Sequence, residues 1–189
     1  MRSDYQIIMP TRKGTWGTTR VNTSIQLKLN PSGPYLRLDR FNKDEAPLLV
    51  RNHDKFLWIK NDYNLRLFNG EIGVVDWLNP EDGTLQLATM DEQYSVPARI
   101  KTYSPFLRTN INYDPRKQLE LGYAITTHKS QGSEFDTVIY CMSSRAPFML
   151  NRNNFYTAVT RAKHKVVIIC DVRAMSYAVK PRRVWVHRN

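Results

Sequence analysis

The sequence has few acidic residues, few cysteines and no long apolar run, and each of these features limits the classes of protein to which it can belong. Its 189 residues include 17 Asp and Glu against 28 Lys and Arg, which gives a formal net charge of +11. No apolar run approaches the roughly 18 residues that a membrane-spanning helix needs. Residues 1–6 lack a charged segment followed by an apolar one, so we expect a cytoplasmic protein without a secretory signal.

The only two cysteines, Cys141 and Cys170, each fall inside an apolar, strand-like run. Their spacing matches no metal site, and we predict none. We interpret them as buried free thiols of a reducing compartment. The basic excess, with a pI of about 9.8, favours a polyanionic partner. A role in solubility alone explains the charge equally well.

A phosphate-binding loop of the form Gly-x-x-x-x-Gly-Lys-[Ser/Thr] is missing, because threonine occupies the position five residues after both Gly14 and Gly132. Two acidic pairs imitate a magnesium-binding motif. The pair at Asp44 does not follow a strand, and the pair at Asp91 lies inside a predicted β-rich segment. Neither pair is assigned a catalytic role.

The most informative stretch is residues 124–136, where an apolar run enters a polar turn that contains Gly132. We predict a strand at 121–126 and a short helix from Lys129 onward. A strand-to-helix turn offers backbone N–H groups to a phosphate, and a glycine allows close approach. Further downstream, residues 154–163 are predicted to be helical, which places Arg161 near Thr157 as a candidate anion clamp.

The segments THKSQGSEFD (127–136) and YTAVTRAKHKVVII (156–169) resemble the fifth and sixth conserved motifs of superfamily-one helicases. The form is that of the RecD-like and TraA-like enzymes. The resemblance continues upstream and so covers most of the chain. Its upstream parts are residues 9–17, 29–31, 61–63 and 68–73.

This resemblance implies that Arg161 is an arginine finger that reaches the γ-phosphate of ATP. A planar, permanently charged fork suits the charge spread over phosphoryl oxygens. It also implies that Gln131, Gly132 and Glu134 contact the nucleotide, with Glu134 accepting from the ribose. The alternatives are a structural salt bridge for Arg161 and a capping carboxylate at a helix start for Glu134.

The same loop is implied to face DNA through Thr127, His128, Lys129 and Ser130. These side chains can donate to backbone phosphates and so couple nucleotide state to the grip on the strand. His128 is assigned no catalytic role.

We expect an α/β fold, a RecA-like (P-loop NTPase-like) domain with a parallel sheet but no Walker A loop. Apolar strands without alternation indicate a sheet covered on both faces. The expected limits are 1–60 and 110–189 for this domain and 61–109 for an inserted β-module. The resemblance implies that the insert is an SH3-like barrel that helps grip single-stranded DNA; a β-meander without a ligand is the alternative.

The local patterns predict the elements in more detail. Residues 35–54 are expected to be irregular, and Asn69-Gly70 to form a hairpin turn. Strands are predicted at 5–9, 56–59, 85–87, 94–96, 138–142 and 166–170, and helices from 18 or 19 to 29 and at 174–179.

The resemblance implies the second motor domain of an ATP-dependent DNA helicase that moves 5′ to 3′ and serves repair or recombination. ATP with Mg²⁺ would be bound jointly with a domain or subunit that carries the Walker A and B motifs. The chain alone would be inactive, either as a fragment or as a split subunit. The rival hypotheses are a non-enzymatic module that binds single-stranded nucleic acid and a regulatory protein that occupies a helicase partner.

Overall fold

The computed structural model describes residues 5–40, 42 and 45–180. The strands in these ranges are β1 (Tyr5–Met9), β2 (Tyr35–Leu38), β3 (Leu48–Arg51), β4 (Lys55–Trp58), β5 (Ile72–Leu78), β6 (Leu85–Ala88), β7 (Gln93–Val96), β8 (Ile100–Ser104), β9 (Thr109–Tyr113), β10 (Leu119–Leu121), β11 (Ala124–Thr126), β12 (Phe135–Met142) and β13 (Ala162–Cys170). The α-helices are α1 (Thr18–Leu29), α2 (Arg152–Val159) and α3 (Val172–Val179), and short 3₁₀ turns cover Pro115–Gln118 and Pro147–Met149.

The chain forms two compact units. We call residues 22–123 the antiparallel unit, and residues 5–21 together with 124–180 the parallel unit. The boundary falls within α1. The sequence-based insert at 61–109 lies inside the larger antiparallel unit.

The parallel unit is built on a sheet with the order β11-β1-β12-β13, and all three pairings are parallel. Ile8, Ile125 and Val138 are fully or almost fully buried, which explains why these strands are apolar throughout. The α/β class and the parallel sheet are thereby confirmed. We call the side where β1, β11 and β12 end the carboxyl edge, and the opposite side, where β12 and β13 begin, the amino edge.

The helix predicted from Lys129 onward is absent, because residues 127–132 form consecutive turns that lead directly towards β12. One helical bond forms, from the Ser130 N–H to the Thr126 carbonyl at 3.0 Å. The Ser130 hydroxyl then bonds to the Thr127 carbonyl, and Gly132 adopts a left-handed φ of +87°. Both features favour a turn over a helix, so no helix dipole acts at this loop.

Strand β13 is more exposed than a sheet covered on both faces would allow. Ile169 is 57 % exposed, and Cys170 is exposed as well. The prediction of a buried thiol is therefore wrong for Cys170, because β13 is the last strand of the sheet in the part of the chain that the structure describes. Cys141 is half-buried, and burial raises the pKa of its thiol.

The antiparallel unit contains a five-stranded sheet with the order β10-β4-β5-β6-β7. Trp58, Phe56, Leu85 and Leu87 are buried in its core. Strand β4, which the sequence-based limits gave to the other domain, pairs antiparallel with β5 and β10. Two further hairpins, β2–β3 and β8–β9, complete the unit.

The hairpin β2–β3 overturns the expectation that residues 35–54 are irregular. Leu36, Leu38 and Val50 from this hairpin are buried in the core. The Asn69-Gly70 pair does form a turn, in which the Glu71 N–H donates to the Phe68 carbonyl at 3.1 Å. This turn ends a longer connection between β4 and β5 and is not the tip of a tight hairpin. Among the described residues, no helix is long and apolar enough to cross a membrane.

Candidate nucleotide and nucleic-acid site

Residues 127–134 run from the carboxyl edge of the parallel sheet to its amino edge. At the first end, the Thr127 N–H donates to the Met9 carbonyl at 2.9 Å. At the second end, the Phe135 N–H donates to the Arg161 carbonyl at 2.9 Å. The two halves of the segment therefore lie at opposite edges, and a single ligand at one edge would not contact both.

Arg161 lies at the amino edge, in the short turn between α2 and β13 rather than inside a helix. Its Nε donates to the Thr157 carbonyl at 3.3 Å, and its Nη1 donates to the Ser133 carbonyl at 3.4 Å. Within the described residues no carboxylate pairs with this guanidinium. The charge is thus held in place by two neutral acceptors and is not neutralised.

Gly132 is the neighbour of Ser133, whose carbonyl accepts from Arg161, so Gly132 lies close to that guanidinium. A Cβ added to Gly132 would meet no atom within 4 Å, so the backbone there is open to approach. Gln131 is also exposed. The structure thus brings Arg161 together with the glycine turn, as the sequence predicted.

Glu134 is exposed, and its Oε2 lies 3.9 Å from Lys163 Nζ. Its neighbour Asp136 lies 3.6 Å from His164. Because residues 127–132 are not helical, Glu134 does not cap a helix start, and that alternative is excluded. A contact between Glu134 and a ribose stays a prediction.

The four residues predicted to face DNA divide into a buried pair and an accessible pair. The hydroxyl of buried Thr127 donates to Asn154 Oδ1 at 2.8 Å, and the hydroxyl of buried Ser130 donates to the Thr127 carbonyl at 2.7 Å. His128 is exposed and Lys129 is partly exposed. The first pair fixes the turn, and the second pair reaches the surface.

Asn154 is a structural residue that the sequence did not reveal. Its Oδ1 accepts hydrogen bonds from the hydroxyls of Thr127 and Tyr140, at 2.8 and 3.0 Å. Burial raises the pKa of Tyr140 to about 12, so this hydroxyl is a donor at neutral pH. Asn154 thus joins the turn at residue 127 to α2, whose other end leads to Arg161. An asparagine in a short helix gives no signal that could have predicted this bond.

A search of the described residues finds no group of three or more His, Cys, Asp or Glu side chains that could hold a metal ion. The contacts of ATP with Gln131, Gly132, Glu134 and Arg161 stay predictions.

Comparison with known proteins identifies relatives among DNA helicases. Residues 121–169 match the family model of the UvrD-like helicase C-terminal domain. The ATP-dependent RecD2 DNA helicase of Deinococcus radiodurans is 34% identical over 178 residues, which cover 94% of this chain and 22% of that protein. The RecBCD enzyme subunit RecD of Mycolicibacterium smegmatis is 37% identical over 117 residues, which cover 60% of this chain and 18% of that protein. The chain thus spans less than a quarter of the length of these relatives.

Solved structures show the same fold. The Pif1 helicase from Bacteroides, in complex with ADP-AlF3 and ssDNA, matches 94% of this chain and 42% of its own chain with a TM-score of 0.63 and 21% identity. The Pif1 helicase from Candida albicans matches 94% of this chain and 47% of its own with a TM-score of 0.58 and 16% identity. The parallel unit is RecA-like, and residues 121–169 of the chain are a UvrD-like helicase C-terminal domain from the family of RecD-like DNA helicases.

Proposed function

We propose that this chain is the second motor domain of a RecD-like DNA helicase. It binds ATP with Mg²⁺ jointly with a domain or subunit that carries the Walker A and B motifs, and it moves 5′ to 3′ along single-stranded DNA. Residues 61–109, which lie inside the antiparallel unit, serve as the SH3-like module of this motor. The process would be DNA repair or recombination.

One observation carries the proposal: the Arg161 guanidinium is held by the carbonyls of Thr157 and Ser133, beside an open glycine turn, with no paired carboxylate in the described residues. An arginine has five N–H donors. Two of them are used here, and the other three have no acceptor among the described residues, so they can bind phosphoryl oxygens. A structural salt bridge would require a carboxylate at this position, so the geometry favours the finger.

When bound, ATP supplies the phosphoryl group that is transferred to water. Arg161 orients the γ-phosphate and offsets the charge that builds up on its oxygens. Gln131 and Gly132 contact the nucleotide through the open turn, and Glu134 accepts from the ribose. His128 and Lys129 donate to DNA phosphates at the other end of the same segment, while Thr127 and Ser130 hold its shape. A change of ligand at one edge can therefore shift the position of the segment at the other edge.

The test mixes the chain with a partner that carries the Walker A motif and measures ATP hydrolysis stimulated by single-stranded DNA. Loss of an arginine finger lowers turnover by about 10³-fold or more, and we expect this for Arg161→Ala. The matched control is Lys28→Ala, which removes one exposed charge from the last turn of α1 and should leave turnover unchanged. Turnover in Arg161→Ala equal to that of the control would refute the finger and favour a non-enzymatic binding module.

A further inference from the structure

Asp54 carries a fully buried carboxyl group in the antiparallel unit, in the turn between β3 and β4. Its oxygens accept from the Arg51 N–H, the Asn30 side-chain amide and the Tyr123 hydroxyl, each at 2.8 Å, and from the side-chain amide of Gln26. Among the described residues, no lysine or arginine forms an ion pair with it. Burying a carboxylate is costly unless hydrogen bonds replace its lost water, and these donors do so.

Three of these donors belong to the two places where the chain enters and leaves the antiparallel unit. The chain enters within α1, and Gln26 and Asn30 lie in and directly after the last turn of that helix. The chain leaves directly after Tyr123. We call residues 22–30 the entry segment and residues 122–123 the exit segment. Asp54 therefore bonds to both segments at once.

The buried side of the entry segment is polar. Helices on the surface of a protein usually bury an apolar stripe, but here Asn22, Gln26 and Asn30 recur at every fourth position. Besides Asp54, their amides bond to backbone carbonyls, those of Leu121, Leu49 and Asn52 at 2.8, 2.9 and 2.8 Å. No apolar side chain of the entry segment is fully buried. The segment is therefore held chiefly by hydrogen bonds, which water can replace when it detaches.

The exit segment packs closely against the start of β4, directly after Asp54. The Gly122 N–H donates to the Lys55 carbonyl at 2.6 Å, and a Cβ at Gly122 would lie 2.5 Å from the Phe56 carbonyl oxygen. Burial, followed by the charge of Asp54, raises the pKa of Tyr123. The Tyr123 hydroxyl is thus a donor at neutral pH, and Asp54 is its acceptor.

We propose that Asp54 is an anchor that makes the entry and exit segments one cooperative unit, which opens and closes while strands β5, β6 and β7 stay paired. Loss of the Asp54 contacts removes an acceptor from Gln26, Asn30 and Tyr123 together, so the segments open together. Hinges consist of a few residues at the ends of elements, and this anchor controls both connections of the unit. The inference uses the antiparallel unit alone and stands apart from the proposed function.

The experiment is hydrogen exchange of single amides, followed by NMR on the full chain. The Asn30 N–H, which donates to the Gln26 carbonyl at 2.7 Å, reports the entry segment. The Gly122 N–H reports the exit segment, and the amides of β6 report the sheet. In the wild type, the two reporter amides should have equal protection from exchange, below that of β6, because local openings cost less free energy than global unfolding.

The main variant is Asp54→Asn, which keeps the size of the side chain and replaces an acceptor oxygen with a donor amide. The matched control is Asp62→Asn. Asp62 is also buried, and it accepts from the Tyr113 hydroxyl and from two backbone N–H groups, but none of these donors lies in the entry or exit segment.

Asp54→Asn should speed exchange of both reporter amides by about 5-fold to 100-fold relative to β6, since it leaves buried donors unpaired. Asp62→Asn should change the reporters no more than it changes β6. Tyr123→Phe removes one donor and keeps the ring, so it should have a smaller effect on both reporters. In the double variant, the combined effect should be smaller than the sum of the two single effects.

Three results would overturn the inference. The first is unequal protection of the Asn30 and Gly122 amides in the wild type. The second is an equal increase in exchange at the reporters and at β6 in Asp54→Asn. The third is a double variant with Tyr123→Phe whose effect equals the sum of the single effects. The wild type and Tyr123→Phe keep the test decisive if Asp54→Asn fails to fold. Because no ATP, DNA or partner is present, the result is independent of the ATPase test.

Discussion

The two edges of the parallel sheet carry similar cations but balance them differently. At the amino edge, Lys163 and His164 lie near Glu134 and Asp136, whereas Arg161 has no carboxylate partner among the described residues. At the carboxyl edge, Lys13 and Arg145 line a cavity, and none of its described lining residues is acidic. A mostly balanced edge with one unpaired guanidinium suits a single phosphoryl group, whereas an unbalanced edge suits a polyanionic strand.

Among these variants, Asn154→Ala should have the largest effect on stability. It removes the hydrogen bonds that join the turn at residue 127, at the carboxyl edge, to α2, which leads to Arg161 at the amino edge. The change removes the acceptor of the buried Tyr140 hydroxyl and the nearer of the two acceptors of the Thr127 hydroxyl, whose other acceptor is the Met9 carbonyl at 3.4 Å. We expect a loss of about 2–3 kcal/mol in the free energy of unfolding, together with weaker stimulation of ATP hydrolysis by DNA. Denaturant unfolding checks the first effect. The exposed neighbour in Asn153→Ala should change stability by less than about 0.5 kcal/mol, and equal losses in both variants would contradict the link.

Gly17→Ala should disturb the carboxyl edge alone. The added Cβ would clash with the Arg12 carbonyl, and such overpacking costs about 1–3 kcal/mol. Denaturant unfolding measures this loss, and a stability of Gly17→Ala equal to that of the control variant would contradict the clash. Ser24→Ala, on the exposed side of α1, is the control.

Asp171→Asn should have a smaller effect that depends on pH. Hydrogen bonds from backbone N–H groups lower the folded pKa of Asp171 from 3.8 to about 2. A lowered pKa stabilises the fold above 3.8, and that contribution is lost as pH falls through about 2. The unfolding midpoints of the wild type and the variant should therefore differ at neutral pH and converge in strong acid. A difference that does not change with pH would show that the charge of Asp171 is irrelevant.

Glu134→Gln should have the smallest effect. Its ion pair with Lys163 is exposed, and such pairs contribute less than about 1 kcal/mol to stability. We expect no measurable change in unfolding but about fivefold weaker binding of ATP by the assembled motor, the equivalent of about 1 kcal/mol for one hydrogen bond. Equilibrium binding of a fluorescent ATP analogue measures this. Asp136→Asn is the matched control, and equal losses in both would remove Glu134 from the site.

The sequence analysis correctly predicted the strands that consist of short, continuous apolar runs. The runs at Ile7-Ile8 and Val138-Ile139 were identified as strands, and both belong to the parallel sheet. The turn around Gly132 was located, and so was its proximity to Arg161. These features depend on short-range patterns, which a single sequence contains.

The features that the sequence missed depend on long-range packing. Leu36 and Val50 pair with each other across a long loop, and that pairing cannot be deduced from either segment alone. Leu36 and Leu38 do alternate with exposed residues, a strand pattern that the sequence-based prediction overlooked. Cys170 is exposed because its strand is the last one of the sheet among the described residues, and strand order cannot be deduced from local hydrophobicity. Likewise, the Thr127 hydroxyl bonds to Asn154, which lies far away in the sequence.

The most direct test of the account is the affinity of the assembled motor for ADP with aluminium fluoride, a mimic of the transferring phosphoryl group, compared with ADP alone. If Arg161 binds that group, Arg161→Ala should bind ADP with aluminium fluoride about 100-fold or more weakly than the wild type does. The affinities of the variant for ADP alone and for the DNA strand should stay unchanged. An equal affinity of the variant and the wild type for the mimic would contradict a triphosphate site completed by Arg161.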